Sequence, residues 1–175
     1  MPSSEPFSEE VLDVASKLVG ECRAAGVTVG CAESCTGGLV SGAITAIPGS
    51  SSALRGGVVS YAISVKHEVL GVPQDILDAP GIGAVSSECA AAMAEGARRV
   101  LSCDVAVSIT GIAGPGGAEP GKPVGTVWMG LATDKGTKTF PNLFSGDRAE
   151  VRQQAVYRAL GLLRDGVAEI RPRTA

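Results

Sequence analysis

Between residues 9 and 25 apolar side chains fall at Val11, Leu12, Val14, Ala15, Leu18, Val19 and Cys22, the spacing of one helix face. Ser8 can cap this helix, Glu9 and Glu10 suit its first turn, and Gly26 ends it. Val27–Ala32 is a short apolar run that reads as a buried strand. The corner Ala32-Glu33-Ser34-Cys35-Thr36-Gly37-Gly38 separates it from a small-residue helix over about 37–47, stopped by Pro48-Gly49. Ser50-Ser51-Ser52 is a polar loop, and Leu54 to Ala62 is a strand in which Gly56-Gly57 permits a bulge. Ser64 starts a short helix carrying Lys66, His67, Val69 and Leu70, closed by Gly71, and Pro73–Asp78 makes another.

Ser86 or Ser87 caps a strong helix to about Leu101. The strand Val105–Thr110 runs into Gly111-Ile112-Ala113-Gly114-Pro115-Gly116-Gly117, a stretch too glycine-rich for regular structure. Val124–Thr133 and Thr137–Phe144 form a hairpin around Asp134-Lys135-Gly136. Asp147 caps a last helix to about Ile170, which Gly161 or Gly166 can weaken, and Arg171–Ala175 is expected to fray. Early alternation of strands and helices followed by a hairpin predicts an α/β protein, a three-layer α/β/α sandwich with a mixed sheet. Ligands of such sheets bind beyond the carboxyl ends of strands. Ala32 into Ser34, Thr110 into the glycine loop, and Phe144 into Ser145-Gly146-Asp147-Arg148 are the three corners expected to converge there.

At 175 residues the chain is expected to be a single domain, residues 1–175, with its core over about 8–170. With 45% hydrophobic but 3% aromatic residues, that core must be built from Ala, Val, Ile and Leu. A net charge of −3 and few aromatics disfavour nucleic acid as a partner. No apolar run reaches membrane-spanning length and no signal peptide is recognisable, so a cytoplasmic protein is expected. The small, apolar helix surfaces are compatible with a homodimer. Five cysteines, Cys22, Cys31, Cys35, Cys89 and Cys103, read as reduced buried thiols. No metal site is expected, because Cys31 and Cys35 lack a CxxC partner and a second histidine. Neither a P-loop nor a Rossmann fingerprint is present, and no cofactor is implied.

The corner at Ser34 has two possible uses. It can present a nucleophile, or it can aim unpaired N–H groups at an anion. Ser34 and Thr36 compete for the simpler role of helix cap, and Cys35 rivals Ser34 as nucleophile.

Six motifs then occur in a familiar order: the corner 32–38; Tyr61 with Lys66 five residues on; Gly83-Ala84-Val85-Ser86; Thr110-Gly111-Ile112-Ala113-Gly114-Pro115; Lys122-Pro123-Val124-Gly125-Thr126-Val127; and Gly146-Asp147-Arg148. Over residues 10–165 the chain closely resembles the CinA C-terminal domain family, the nicotinamide-nucleotide amidases. The resemblance implies hydrolysis of the carboxamide of nicotinamide mononucleotide to nicotinate mononucleotide and ammonia, within pyridine-nucleotide salvage. Some members carry a further N-terminal nucleotide-processing domain, and this chain resembles the stand-alone form. Ile63 departs from the pattern, since many relatives have Asn there.

The family pattern implies Ser34 as nucleophile and Lys66 as base, metal-independent, through an acyl-enzyme. His67, the one histidine, follows Lys66, and on a helix the two point about 100° apart. If Lys66 faces the site, His67 does not, which disfavours a Ser-His-Asp triad. Lowering a lysine from ~10.4 to ~7.4 costs about 4 kcal/mol of differential solvation or repulsion. A solvated surface lysine is the plainer reading of Lys66 from composition alone. Tyr61 can hydrogen-bond Ser34 or Lys66, and Thr110 completes the expected catalytic set. Glu33 has three roles open: a partner for Lys66, a ligand for a substrate hydroxyl, or structure. Ser108 and Thr110 share a strand face and are expected to reach substrate, with backbone-bonded hydroxyls as the alternative. Gly111 and Gly114 can approach phosphate or ribose closely. Thr36 and Gly37, with nearby N–H groups, are candidate oxyanion donors. Arg148 is the best phosphate ligand, because guanidinium pairs with phosphate in a bidentate way and a cation at a helix start is otherwise disfavoured. A non-catalytic nucleotide-binding or regulatory module, or another small-molecule amidase, are the competing readings.

Overall fold

The computed structural model describes residues 7–170. The predicted first helix, α1 (Glu9–Ala25), is capped by Ser8 and closed by Gly26 in the left-handed region. There follow β1 (Val29–Glu33), α2 (Leu39–Thr45), a 3₁₀ turn (Ser50–Ser52), β2 (Leu54–Val59), α3 (Ile63–Glu68) and α4 (Gln74–Asp78). The second half holds α5 (Ser87–Leu101), β3 (Val105–Gly111), β4 (Thr126–Thr133), β5 (Gly136–Leu143) and α6 (Arg148–Glu169).

The five strands form one sheet in the order β2-β1-β3-β4-β5. β1 runs parallel to both β2 and β3, and β4 and β5 join antiparallel. Helices α1, α2 and α6 cover one face over a core of Val, Leu, Ile and Ala, with Met129 and two cysteines of the sheet side, Cys31 and Cys35, among them. Helix α5 covers the other face, packing its Cys89 and Met93 into a cluster with Ala32 and Ala106 of the sheet. The mixed sheet and its two helical layers are those expected from the alternation of apolar runs.

Local differences have local causes. β1 begins two residues late because Val27 and Thr28 are used in leaving α1. The Val27 N–H bonds the Cys22 carbonyl, and Thr28 donates its N–H (2.8 Å) and its hydroxyl (2.9 Å) to Asp104 Oδ2. Helix α2 begins at Leu39, not 37, because Gly37 and Gly38 both have positive φ, 60° and 99°. β2 stops at Val59, after which the chain turns off the sheet into α3. Helix α6 is continuous through both of its glycines. Gly166 is required there by packing: a Cβ would lie 2.6 Å from Val105 Cγ1 and 3.1 Å from Leu131 Cδ1, so the bare backbone lets α6 settle onto the sheet. The expected fraying of Arg171–Ala175 concerns residues outside those described. Among the described residues no helix is long and apolar enough to cross a membrane.

Register fixes what lies at the carboxyl end of the sheet. Glu33 is level with Val59 and with Ile109, Thr110 is level with Trp128, and Trp128 with Pro141. One position beyond the last β1 pairs, Ser60, Ser34 and Thr110 form a row that continues through Trp128 and Pro141. Side chains two apart in a strand share a face, so this row belongs with Ala32 and Ala106 on the α5 side.

Candidate active site

Ser34 leaves β1 with its N–H donated to the Ile109 carbonyl (2.9 Å), which extends the sheet by one bond and fixes the corner. Beneath the corner lies Glu33, fully buried. Its Oε2 accepts from Gly38 N–H (3.0 Å) and Val40 N–H (3.1 Å), and its Oε1 from Ser41 N–H and Ser41 Oγ, both 2.9 Å. Glu33 thus supplies the cap that α2 lacks from its own N-cap residue, Gly38. The expectation that it meets Lys66 or a substrate hydroxyl is corrected: both carboxylate oxygens are engaged in the scaffold, away from solvent.

Above the corner lies Lys66. The short α3 carries it back over Ser34, and its side chain is buried, 1% exposed. Its Nζ is 2.9 Å from Ser34 Oγ and 2.5 Å from the Ser60 carbonyl oxygen. Burial holds this amine below the usual lysine value of 10.5, opposed only weakly by the thiols of Cys89 and Cys35. No carboxylate hydrogen-bonds it among the described residues. His67, one residue on, is exposed and turned away, its Nδ1 donating to the Val72 carbonyl (2.8 Å).

Cys35 is buried, and desolvation pushes its thiol up to about 11. Cys89, beside Lys66, is raised to about 11 for the same reason. Both are therefore thiols rather than thiolates at neutral pH. All five cysteines are free and buried.

The corner's N–H groups divide clearly. Gly37 donates to the Ser34 carbonyl (3.1 Å) and Leu39 to the Thr36 carbonyl (3.2 Å), while Gly38, Val40 and Ser41 serve Glu33. Among the described residues those of Cys35 and Thr36 bond no other residue. Gly37 is therefore corrected as an oxyanion donor, and its part is the turn itself. Thr36 is fully buried, and its hydroxyl has no hydrogen-bond partner.

Ser108 and Thr110 follow the backbone-bonded alternative. Ser108 Oγ donates to the Ala90 carbonyl (2.5 Å) and accepts from Gly130 N–H (3.0 Å), tying α5 to the sheet in a fully buried position. Thr110 Oγ1 donates to the Ala84 carbonyl (2.6 Å) at 1% exposure, which anchors the loop before α5. Neither hydroxyl is presented to a ligand in this arrangement, which corrects Ser108 as a substrate contact and Thr110 as a catalytic group.

Tyr61 is 61% exposed, and its hydroxyl bonds Arg148 Nη2 (3.3 Å) rather than Ser34 or Lys66. Arg148 also donates from Nη1 to the Gly114 carbonyl (2.8 Å). Tyr61, Gly114 and Arg148 thus form a rim cluster drawn from three separate motifs, and the expected direct role of Tyr61 on the Ser34–Lys66 pair is corrected to this rim position. Gly111 faces β4: a Cβ there would lie 2.7 Å from the Thr126 carbonyl oxygen, so its bareness serves strand packing, not a ligand.

Two residues escaped sequence reasoning. Arg152, one turn after Arg148 on α6, donates from Nε to the Cys35 carbonyl (3.1 Å) and from Nη2 to the Thr36 carbonyl (3.2 Å). It holds the corner's carbonyls outward, and the i,i+4 spacing to Arg148 was the available signal. Trp128, the one tryptophan, lines a cavity of about 590 Å³ with Ser86, Lys122 and Pro141, two strands along the row from Ser34. Among the described residues no group of three or more His, Cys, Asp or Glu side chains is placed to hold a metal ion.

A family model described as the CinA C-terminal domain matches residues 11–167. The chain belongs to this family. The CinA-like protein of Anaeromyxobacter dehalogenans (strain 2CP-1) is 49% identical over 158 residues, 90% of this chain and 38% of that protein. The CinA-like protein of Geotalea uraniireducens is 44% identical over 165 residues, 94% of this chain and 39% of its own. The chain thus spans less than half the length of these curated CinA relatives. Among solved structures, the competence/damage inducible protein CihA from Agrobacterium tumefaciens superposes with a TM-score of 0.89 at 35% identity, covering 94% of this chain and 99% of that one. A competence or damage-inducible protein from Enterobacter asburiae gives 0.85 at 31%, covering 91% and 99%. The CinA fold and family are therefore established for this chain, and its chemistry is left to the site.

Proposed function

We propose that this CinA domain hydrolyses the carboxamide of nicotinamide mononucleotide, giving nicotinate mononucleotide and ammonia through an ester on Ser34. The observation that carries the reading is the 2.9 Å contact between Ser34 Oγ and the buried Lys66 Nζ. A serine hydroxyl is a weak nucleophile until a base takes its proton, and a lysine serves as base only when its amine is neutral. Burial without a carboxylate partner favours that neutral form.

In the first half-reaction Ser34 Oγ attacks the amide carbon while its proton passes to Lys66 Nζ. Negative charge gathers on the carbonyl oxygen, where the N–H groups of Cys35 and Thr36, which bond no other residue, and the unpartnered Thr36 hydroxyl are the donors at hand. Lys66 returns the proton to the departing nitrogen, and ammonia leaves. Water then attacks the ester carbon as Lys66 accepts its proton; the carbon–Oγ bond breaks, Lys66 returns the proton to Ser34 Oγ, and the free acid leaves. Arg148, on the rim with Tyr61, is suited to the nucleotide phosphate. Arg152 keeps the corner in shape by holding two of its carbonyls.

The test is ammonia release from nicotinamide mononucleotide, with and without chelator, together with mass spectrometry of the trapped protein. Chelator-insensitive release and a nicotinate-mononucleotide adduct on the peptide containing Ser34 are expected. Binding without release would favour the non-catalytic module, and chelator-sensitive release would favour a metal.

A further inference from the structure

Two buried side-chain hydroxyls in the described structure lack any partner: Thr36 Oγ1 in the corner and Ser60 Oγ beside it, just past the end of β2. Thr36 has a use in the oxyanion site. Ser60 has none, although its other polar groups are fully engaged. Its N–H donates to the Glu33 carbonyl (2.8 Å), and its own carbonyl accepts from Lys66 Nζ (2.5 Å). The residue is completely buried. An orphaned buried hydroxyl is costly, and native structures hold few of them.

We propose that Ser60 Oγ is the acceptor that Lys66 acquires when it takes the Ser34 proton. A neutral amine has two N–H bonds and a lone pair, whereas an ammonium has three N–H bonds and no lone pair. In the neutral state Lys66 donates one N–H to the Ser60 carbonyl and turns its lone pair toward Ser34, which leaves its second N–H without a strong acceptor. Once it is an ammonium, it gains a third donor, and its charge makes each N–H demand an acceptor more strongly. The titratable groups facing it are the thiols of Cys35 from the corner and Cys89 from α5, and sulfur accepts hydrogen bonds weakly. The Ser60 hydroxyl belongs to the same residue whose carbonyl already holds Nζ, so a χ1 rotation suffices to present it. The hydroxyl is unsatisfied in the resting state and satisfied when the ammonium forms. That is stabilisation of the charged state over the ground state, the kind that raises kcat.

Ser60 is thus a positioning residue acting through Lys66, and the proposal rests on the serine–lysine reading above. Its first test does not depend on that reading. The Cε resonance of Lys66, ¹³C-labelled and assigned by its loss in Lys66→Met, is followed against pH in the wild type and in Ser60→Ala. Loss of the acceptor disfavours the ammonium, so the Lys66 titration is expected to move to lower pH in Ser60→Ala. Ser60→Cys, nearly isosteric with a poorer acceptor, should fall between. An unmoved titration overturns the proposal, whatever the hydrolysis assay gives. In the hydrolysis assay Ser60→Ala is expected to lose about 10- to 100-fold in kcat with KM little changed, and Ser60→Thr to recover most of that loss. The thermal midpoint should be level or higher in Ser60→Ala, since an unsatisfied buried group has been removed. An unchanged kcat in Ser60→Ala would overturn the proposal even with an active wild type. An inactive wild type would sink the amidase reading and leave the titration to decide Ser60.

Discussion

Glu33 and Lys66 flank Ser34 from opposite faces of the sheet, and both are ionisable side chains with essentially no exposure. Around Glu33 four donors converge on two oxygens, three of them backbone N–H groups of one turn. Around Lys66 there are one carbonyl, the Ser34 hydroxyl and the thiols of Cys89 and Cys35, with no carboxylate bonded to it among the described residues. The first arrangement occupies both carboxylate oxygens and leaves nothing to react. The second penalises the charged form and leaves the nitrogen's lone pair available. Burial alone therefore does not mark a functional ionisable group. What separates scaffold from chemistry at this corner is how completely the neighbours satisfy it.

Replacing each group breaks that comparison in a different observable. Ser34→Ala and Lys66→Met are expected to give the largest effect, a loss of about 10³-fold or more in ammonia release. Lys66→Met should unfold no earlier than the wild type, because an apolar side chain suits a site where a charge is penalised. A Lys66→Met protein that keeps its rate would remove the base from the scheme. Glu33→Ala should do the reverse of Lys66→Met. It strands the N–H groups of Gly38, Val40 and Ser41 in a buried place, and chemical denaturation should show a loss of about 3–5 kcal/mol. An equally stable Glu33→Ala would mean that α2 is capped by some other group.

Much of the frame was legible in the chain. Apolar periodicity, caps such as Ser8, Ser86 and Asp147, and the Asp134-Lys135-Gly136 turn depend on neighbours a few residues away, which sequence displays directly. The pairing of Ser34 with Lys66 was legible because motifs singled out both residues. The site was misread where the role depends on partners far along the chain. Ser108 and Thr110 were placed on the right strand face, yet their hydroxyls are taken by Ala90 and Ala84, carbonyls that only folding brings near. Arg152 was overlooked for the same reason, since the carbonyls it holds lie 117 and 116 residues away and no motif spells them out.

The rim offers a sharper contrast within one helix. Arg148 and Arg152 are a turn apart on α6, one touching Tyr61 and Gly114, the other the corner carbonyls. Arg148→Ala is expected to raise KM for nicotinamide mononucleotide about 10-fold with kcat little changed, as for a lost phosphate contact. Arg152→Ala should lower kcat instead, by loosening the backbone that carries Ser34. Equal effects of both on KM would dissolve the distinction.

The lowered Lys66 also separates the wild type from Lys66→Met as pH changes. Between its folded value and about 10.5 the unfolded chain binds the proton that the folded chain does not. Wild-type stability relative to Lys66→Met should therefore rise with pH across that window, and level off above the unfolded value. The rate should follow the same group, with kcat/KM climbing as Lys66 loses its proton. A stability difference flat in pH would mean that Lys66 stays charged when buried.

The smallest effect belongs to Cys35, adjacent in sequence to Ser34 and the rival nucleophile. Its thiol, pushed up to about 11 by burial, is ionised in only about one molecule in ten thousand at pH 7. Arg152 and Lys66 pull the other way too weakly to offset desolvation. Cys35→Ala removes a small buried group and is expected to leave ammonia release within about three-fold of the wild type, with a stability loss of about 1 kcal/mol. The contrast with Ser34→Ala is the decisive one, because the two residues share the corner and its N–H groups and differ in which side chain meets Lys66. A Cys35→Ala protein as inactive as Ser34→Ala would transfer the nucleophile to sulfur and leave the 2.9 Å Ser34–Lys66 contact a structural one.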